Sequence, residues 1–187
     1  MADDPYRAPQ ARVDDQASAA GGKPEPKGLG GWLILIAIGL GVTMLRLVWF
    51  VVGMLVPIFT SGQWANLTTP GTADYHALWA PLLIFELCGN LLFVLMAGTL
   101  LVLFFRKSRL FPKVFIAYSL LNLAFVTGDY FLSDLIPAVA AANDADAVKE
   151  VARAVVGAAI WIPYMLVSKR VKNTFGAPPP VPAPTPA

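Results

Sequence analysis

Four long apolar runs, each interrupted by only one or two ionisable residues, dominate the hydropathy pattern of this chain. A buried helix of a soluble protein seldom needs more than about 10–14 apolar residues in a row, whereas a helix that crosses a bilayer needs about 20. The runs predict membrane helices at about 32–57, 77–105, 114–136 and 151–168, with Arg46, Glu86, Asp129 and Arg153 inside them. Pro57 is expected to mark the end of the first and Pro137 to close the third, because proline supplies no N–H to continue a helix. The first run exceeds a signal core of about 7–15 residues and has no small-residue cleavage site, so it should remain as an anchor.

Composition agrees, since 57% of the residues are hydrophobic, more than a solvated surface tolerates. The expected class is all-α: a polytopic membrane protein with four transmembrane helices in a bundle covering residues 29–175. Residues 1–28 mix both charge signs with Pro, Ala and Gly and have no apolar period, which predicts a disordered tail. Residues 176–187 read GAPPPVPAPTPA, which favours a semi-rigid polyproline II extension.

The charges then orient the bundle. Arg106, Lys107, Arg109 and Lys113 separate the second and third runs, and Lys169, Arg170 and Lys172 follow the fourth. With the N-terminal tail these positions hold eleven of the fourteen Lys and Arg residues. Cytoplasmic loops collect Lys and Arg, so both termini are expected in the cytoplasm, with a bacterial inner membrane as the location. The outer loops are then 60–76 and 137–150, the latter containing Asn143, Asp144 and Lys149.

Helical spacing gathers the polar and small residues of each run into one stripe. Gly39, Thr43, Arg46 and Gly53 share a face of the first; Glu86, Asn90, Phe93 and Ala97 of the second. The third carries Ser119, Asn122, Val126, Asp129 and Ser133, and the fourth Arg153, Gly157, Tyr164 and Ser168. Such faces should turn inward, where small residues permit close approach and polar ones bond across helices.

An Arg or Asp at mid-membrane costs about 2.5–3.5 kcal/mol on insertion scales, so four at similar depth should find partners. Arg46, Glu86, Asp129 and Arg153, supported by Asn90 and Asn122, are therefore the candidate intramembrane network. The arginines have a competing outcome, in which they snorkel to headgroups. Acids that cycle protons would instead make Glu86 and Asp129 transport sites.

Other chemistry has thin support. Cys88 is the one cysteine and His76 the one histidine, so neither a disulfide within the chain nor a Cys- or His-based metal centre is expected. Gly28-Leu29-Gly30-Gly31 is glycine-rich but follows no strand, which argues against a phosphate loop. No cofactor, metal or catalytic residue is expected, and an enzyme ranks behind both a non-enzymatic membrane or envelope factor and a small proton- or cation-coupled transporter. Expected partners are anionic headgroups, with a second copy of the chain or another membrane protein as further candidates; no nucleic acid is expected.

Gly30-Gly31-Trp32-Leu33 at the first run, and Trp161-Ile162-Pro163-Tyr164 followed by Ser168-Lys169-Arg170-Val171-Lys172-Asn173-Thr174-Phe175 at the last, resemble the bacterial membrane family known as domain of unknown function 2569. The resemblance spans about 29–175 and implies about four spans, without an activity or catalytic residue to carry over. Reporter fusions at Arg109 and Arg170 should fall on the same side of the membrane; opposite sides would sink the four-crossing topology.

Overall fold

Ala has no side-chain freedom to lose in a helix and Leu and Met lose little, and in hydrocarbon only a helix or closed barrel satisfies the backbone, so long runs rich in these residues fold locally. In a computed structural model, described here for residues 27–142 and 145–176, the chain is all-helical, with no strand among the described residues. The expected tails lie, but for Lys27, Gly28 and Gly176, outside the described residues, as do Asn143 and Asp144.

Four helices are long and apolar enough to cross a membrane: α1 (Trp32–Thr60), α3 (Trp79–Phe105), α4 (Phe111–Ser133) and α6 (Ala145–Val167). Among the described residues three short helices accompany them: α2 (Gln63–Thr68), α5 (Pro137–Ala142) and α7 (Lys169–Phe175). The long helices pack in chain order, α1 on α3, α3 on α4 and α4 on α6, whereas α1 and α6 make no comparable backbone approach.

Several boundaries differ from the sequence expectation for identifiable reasons. Pro57 does not end α1, which runs on to Thr60. A π-helical turn at Val51–Leu55 precedes the proline, shifting the hydrogen-bond register just where its ring would meet the preceding turn. Pro137 does not close the third span either. That helix ends at Ser133, and Pro137 instead begins α5, where its missing N–H would have no helical partner anyway. The third span starts three residues early, with Pro112 in its first turn. The fourth starts at Ala145, so Lys149 and Glu150 are helical and not loop. Pro163 is accommodated within α6, which continues to Val167.

The α3–α4 connection is tight. Lys107 adopts the left-handed conformation at φ 50°, which lets Ser108 N–H donate to the Leu103 carbonyl at 2.9 Å and turns the chain back on itself. Ser168 interrupts the helix after α6 and caps α7, its hydroxyl accepting from the Val171 N–H at 3.4 Å.

Packing is uneven along the bundle. One contiguous core joins Leu33, Ile36 and Leu40 of α1, Phe93, Leu100 and Phe104 of α3, Phe111, Phe115 and Tyr118 of α4, Met165 of α6, and Val171 and Phe175 of α7. Most of these lie toward the end that carries Arg106–Lys113 and Lys169–Lys172, termed here the basic end. Phe175 stacks on Phe111 with centroids 4.7 Å apart and meets Phe104 at 6.0 Å, plugging that end. Between α3 and α4 an aromatic series continues upward: Tyr118 against Phe93, Phe93 against Phe125, and Phe125 stacked on Phe85 at 4.6 Å. The Phe125 ring fills the space a β-carbon at Gly89 would need, which is why that position lacks one.

The outward faces carry Leu45, Leu95, Phe105 and Val167 well exposed, the surface expected of a helix bundle solvated by lipid tails. Truncating the plug with Phe175→Ala should lower the unfolding free energy in detergent by about 3 kcal/mol, while Lys172→Ala, at an exposed position of the same helix, should cost less than about 0.5 kcal/mol. Equal, small losses would show that α7 is not part of the core.

Candidate functional site

The polar stripes of α1, α4 and α6 face one another across the gap that α1 and α6 leave between them. A crevice of about 270 Å³ lies there, lined by Leu35, Ile36, Gly39, Leu40 and Thr43 from α1, by Phe115, Tyr118, Ser119 and Asn122 from α4, and by Arg153, Ala154, Gly157, Ala158 and Trp161 from α6. The opening exists because Gly39, Gly157, Ala154 and Ala158 carry little or no side chain where two larger residues would interdigitate and close it.

Contacts bracket the crevice at both ends. At the basic end Trp32 meets Trp161 edge to face, with centroids 6.3 Å apart. At the far end the Arg46 guanidinium pairs with the Glu150 carboxylate, joining α1 to α6. Glu150 was hidden from the sequence reading because it falls outside the apolar run. Its spacing from Asp146 and Arg153 by four and three residues, continuing the stripe of α6, was the available signal.

A polarity gradient runs along the crevice. Arg153 stands roughly 21 Å from the basic end of its helix, and Thr43 and Asn122 roughly 16 Å from theirs, whereas Phe115 and Trp161 lie within about 10 Å. Ser119, in between, is already satisfied, its hydroxyl donating to the Phe115 carbonyl at 2.9 Å. Arg153 makes no ion pair among the described residues.

The remaining candidates form a separate place. Glu86 of α3 and Asp129 of α4 lie within electrostatic reach of each other, and neither lines the crevice. Asp129 Oδ1 is buried and, among the described residues, bonds to nothing. Asn90 is buried, and its amide donates to the Glu86 backbone carbonyl at 2.8 Å, one turn back on α3. The six candidates are thus divided: Asn122 and Arg153 in the crevice, Arg46 at its mouth with Glu150, and Glu86, Asn90 and Asp129 between α3 and α4. The ion pairs among the described residues are Arg46–Glu150 and Lys149–Asp146, so neither acid of the α3–α4 pair meets an arginine.

At the basic end Arg106, Lys107, Arg109 and Lys113 are exposed around the α3–α4 turn, and Lys169 and Lys172 are exposed on α7. Arg170 is half-buried and turned back onto the opening segment. A β-carbon at Gly30 would meet its Nη1 at 2.8 Å, and Gly31, at φ 60°, leads into α1 in a conformation that L side chains rarely adopt. The Thr174 hydroxyl accepts from the Gly28 N–H at 3.0 Å and lies 3.3 Å from the Gly28 carbonyl, to which it donates. The glycine-rich opening and the basic closing helix, 146 residues apart, therefore form one clasp. Sequence reading took the stretch after Ser168 as a charged flank; the four-residue spacing of Val171 and Phe175 behind a Ser cap was the overlooked sign of an amphipathic helix.

An all-α chain with four helices of membrane-crossing length, polar stripes turned to their mutual seams and a basic clasp at one end has the build of a multi-pass membrane protein. The chain belongs to the family described as protein of unknown function (DUF2569), whose pattern it matches over residues 26–176. That match takes in both halves of the clasp and all four long helices. No curated protein and no solved structure matches the chain.

The bridge across the crevice mouth can be measured by a double-mutant cycle. Arg46→Met and Glu150→Gln should be non-additive by more than about 0.5 kcal/mol in unfolding free energy. Additive losses would mean that the two side chains do not hold α1 to α6.

Proposed function

We propose that this is an integral inner-membrane protein of a bacterium, with both termini cytoplasmic, acting as a non-enzymatic membrane or envelope factor that works through lipids or membrane partners. The crevice between α1 and α6 carries the reading: a lateral opening at membrane depth, polar at one end and apolar at the other, suits an amphiphile or a partner helix entering from the bilayer. The exposed basic residues at one end support a cytoplasmic face held against anionic headgroups.

A second reading, proton- or cation-coupled transport, draws on the facing pair Glu86 and Asp129, with one oxygen of Asp129 buried and without a partner among the described residues. Two carboxyl groups so placed can hold a proton or a small cation between them. The crevice lining includes neither acid, which favours the first reading.

The two separate in a pair of measurements. Proteoliposomes carrying an internal pH dye and a proton gradient should leak no faster than protein-free vesicles; flux that Glu86→Gln or Asp129→Asn abolishes would replace the first reading with the second. In cells challenged with detergent, a variant whose crevice is filled by Gly39→Leu with Gly157→Leu should grow no better than a strain lacking the gene. Full complementation by that variant would remove the crevice from the function.

A further inference from the structure

Lipid tails surround the bundle, so whatever enters the α1–α6 crevice must compete with an acyl chain. The two ends of the opening differ in what they offer such a competitor. The far end presents Arg153, free of any ion pair among the described residues, together with Thr43 and Asn122. The end toward the clasp presents Trp161 and Phe115, and in between Gly39 and Gly157 make a smooth channel on the scale of one hydrocarbon chain.

From this arrangement we infer that the crevice is a binding site for one anionic glycerophospholipid, drawn from the leaflet opposite the basic end. The inference rests on the reading of the crevice as the working part of the protein and names its ligand. The phosphate is held by the Arg153 guanidinium, and Asn122 and Thr43, about 5 Å deeper, offer neutral hydrogen-bonding groups to the glycerol esters below it. One acyl chain runs down past the two glycines to the Trp161 ring.

Three observations select this occupant. Charge complementarity comes first: Arg46 is neutralised by Glu150, which leaves Arg153 as the positive charge of the crevice without a counter-ion among the described residues. Direction comes second, because polar and apolar lining succeed each other in the order of a lipid standing head outward in that leaflet. Depth comes third. Arg153, roughly 21 Å above the basic end of α6, lies several ångströms inside a hydrocarbon layer of about 30 Å, within reach of a headgroup that dips as the guanidinium snorkels toward it. A lipid with a zwitterionic head brings its own cation to the phosphate and gains less from Arg153. Phosphatidylglycerol has no such cation.

The experiment uses the full chain purified in neutral detergent, with phosphatidylglycerol and phosphatidylcholine of identical acyl chains titrated by native mass spectrometry. One phosphatidylglycerol should bind at least tenfold more tightly than phosphatidylcholine, in line with the strength of a charge-assisted hydrogen bond. Arg153→Gln should erase that preference and Arg153→Lys should keep most of it. Gly157→Leu should lower the affinity for both lipids, whereas Lys169→Gln with Lys172→Gln, at the opposite end, should leave the tight site unchanged. Millimolar inorganic phosphate should fail to displace the lipid, because it brings no acyl chain.

Equal affinity for the two lipids, an Arg153→Gln variant within twofold of the parent, loss of the tight site in the Lys169 and Lys172 variant, or displacement by phosphate alone would each overturn the inference. Arg153→Gln and Arg153→Lys are compared at matched melting temperature, so the result stands even if Gly157→Leu does not fold. Failure here, with the filled crevice still defective in cells, would remove the lipid and keep the crevice. Complementation by the filled crevice would remove the reading beneath it.

Discussion

The hydroxyl of Thr174 bonds to both polar groups of the Gly28 backbone, and beside it the guanidinium of Arg170 lies against Gly30 and Gly31 while Phe175 stacks on Phe111. This clasp brings the start of α1 to the helix that follows α6 without extended packing between the two spans themselves. Each hydrogen bond is worth about 1 kcal/mol net, so the aromatic burial beneath supplies most of the hold and the bonds supply the register. With the basic end fixed in this way, and the far end tied by Arg46 and Glu150, the spans can stand apart in between. The crevice is the consequence of joining two helices at their ends and leaving glycines in the middle.

That architecture separates two kinds of polar residue in the membrane. Arg46 and Glu150 neutralise each other and act as structure, as does Asn90, which satisfies a carbonyl on its own helix. Arg153 and Asp129 are of the other kind, ionisable groups whose needs the described part of the fold leaves unmet. An intramembrane charge without a protein partner is costly, and retaining it makes sense where a ligand, a proton or a headgroup completes it. Arg153 lines the crevice and Asp129 does not, so the two have distinct settings.

The four long helices were legible in the sequence because run length and apolarity are local properties, and in hydrocarbon the helix is the local solution. The stripes on α1, α4 and α6 were legible too, since Gly39, Thr43, Asn122, Arg153 and Gly157 fall at helical spacing and line one opening. Boundaries at prolines were misread because a proline inside a run can be absorbed by a π-turn, as at Pro57, or can begin a helix, as at Pro137. Partner choice was harder still. Nothing local distinguishes Glu86 from Glu150 as the mate of Arg46; that depends on which helices become neighbours and how far α6 extends beyond its apolar stretch. The clasp was invisible for the same reason, as its two halves occupy opposite ends of the chain.

That separation also sets an order of events during synthesis. A ribosome adding about 5–20 residues per second needs roughly 7–30 s to travel from Gly28 to Thr174. Throughout that interval α1 sits in the bilayer with its opening glycines uncapped and no α6 to share a bridge with Arg46. Assembly must therefore close from the last helix backward onto the first, and a nascent chain halted after α4 would leave its earliest span without a mate at either extremity.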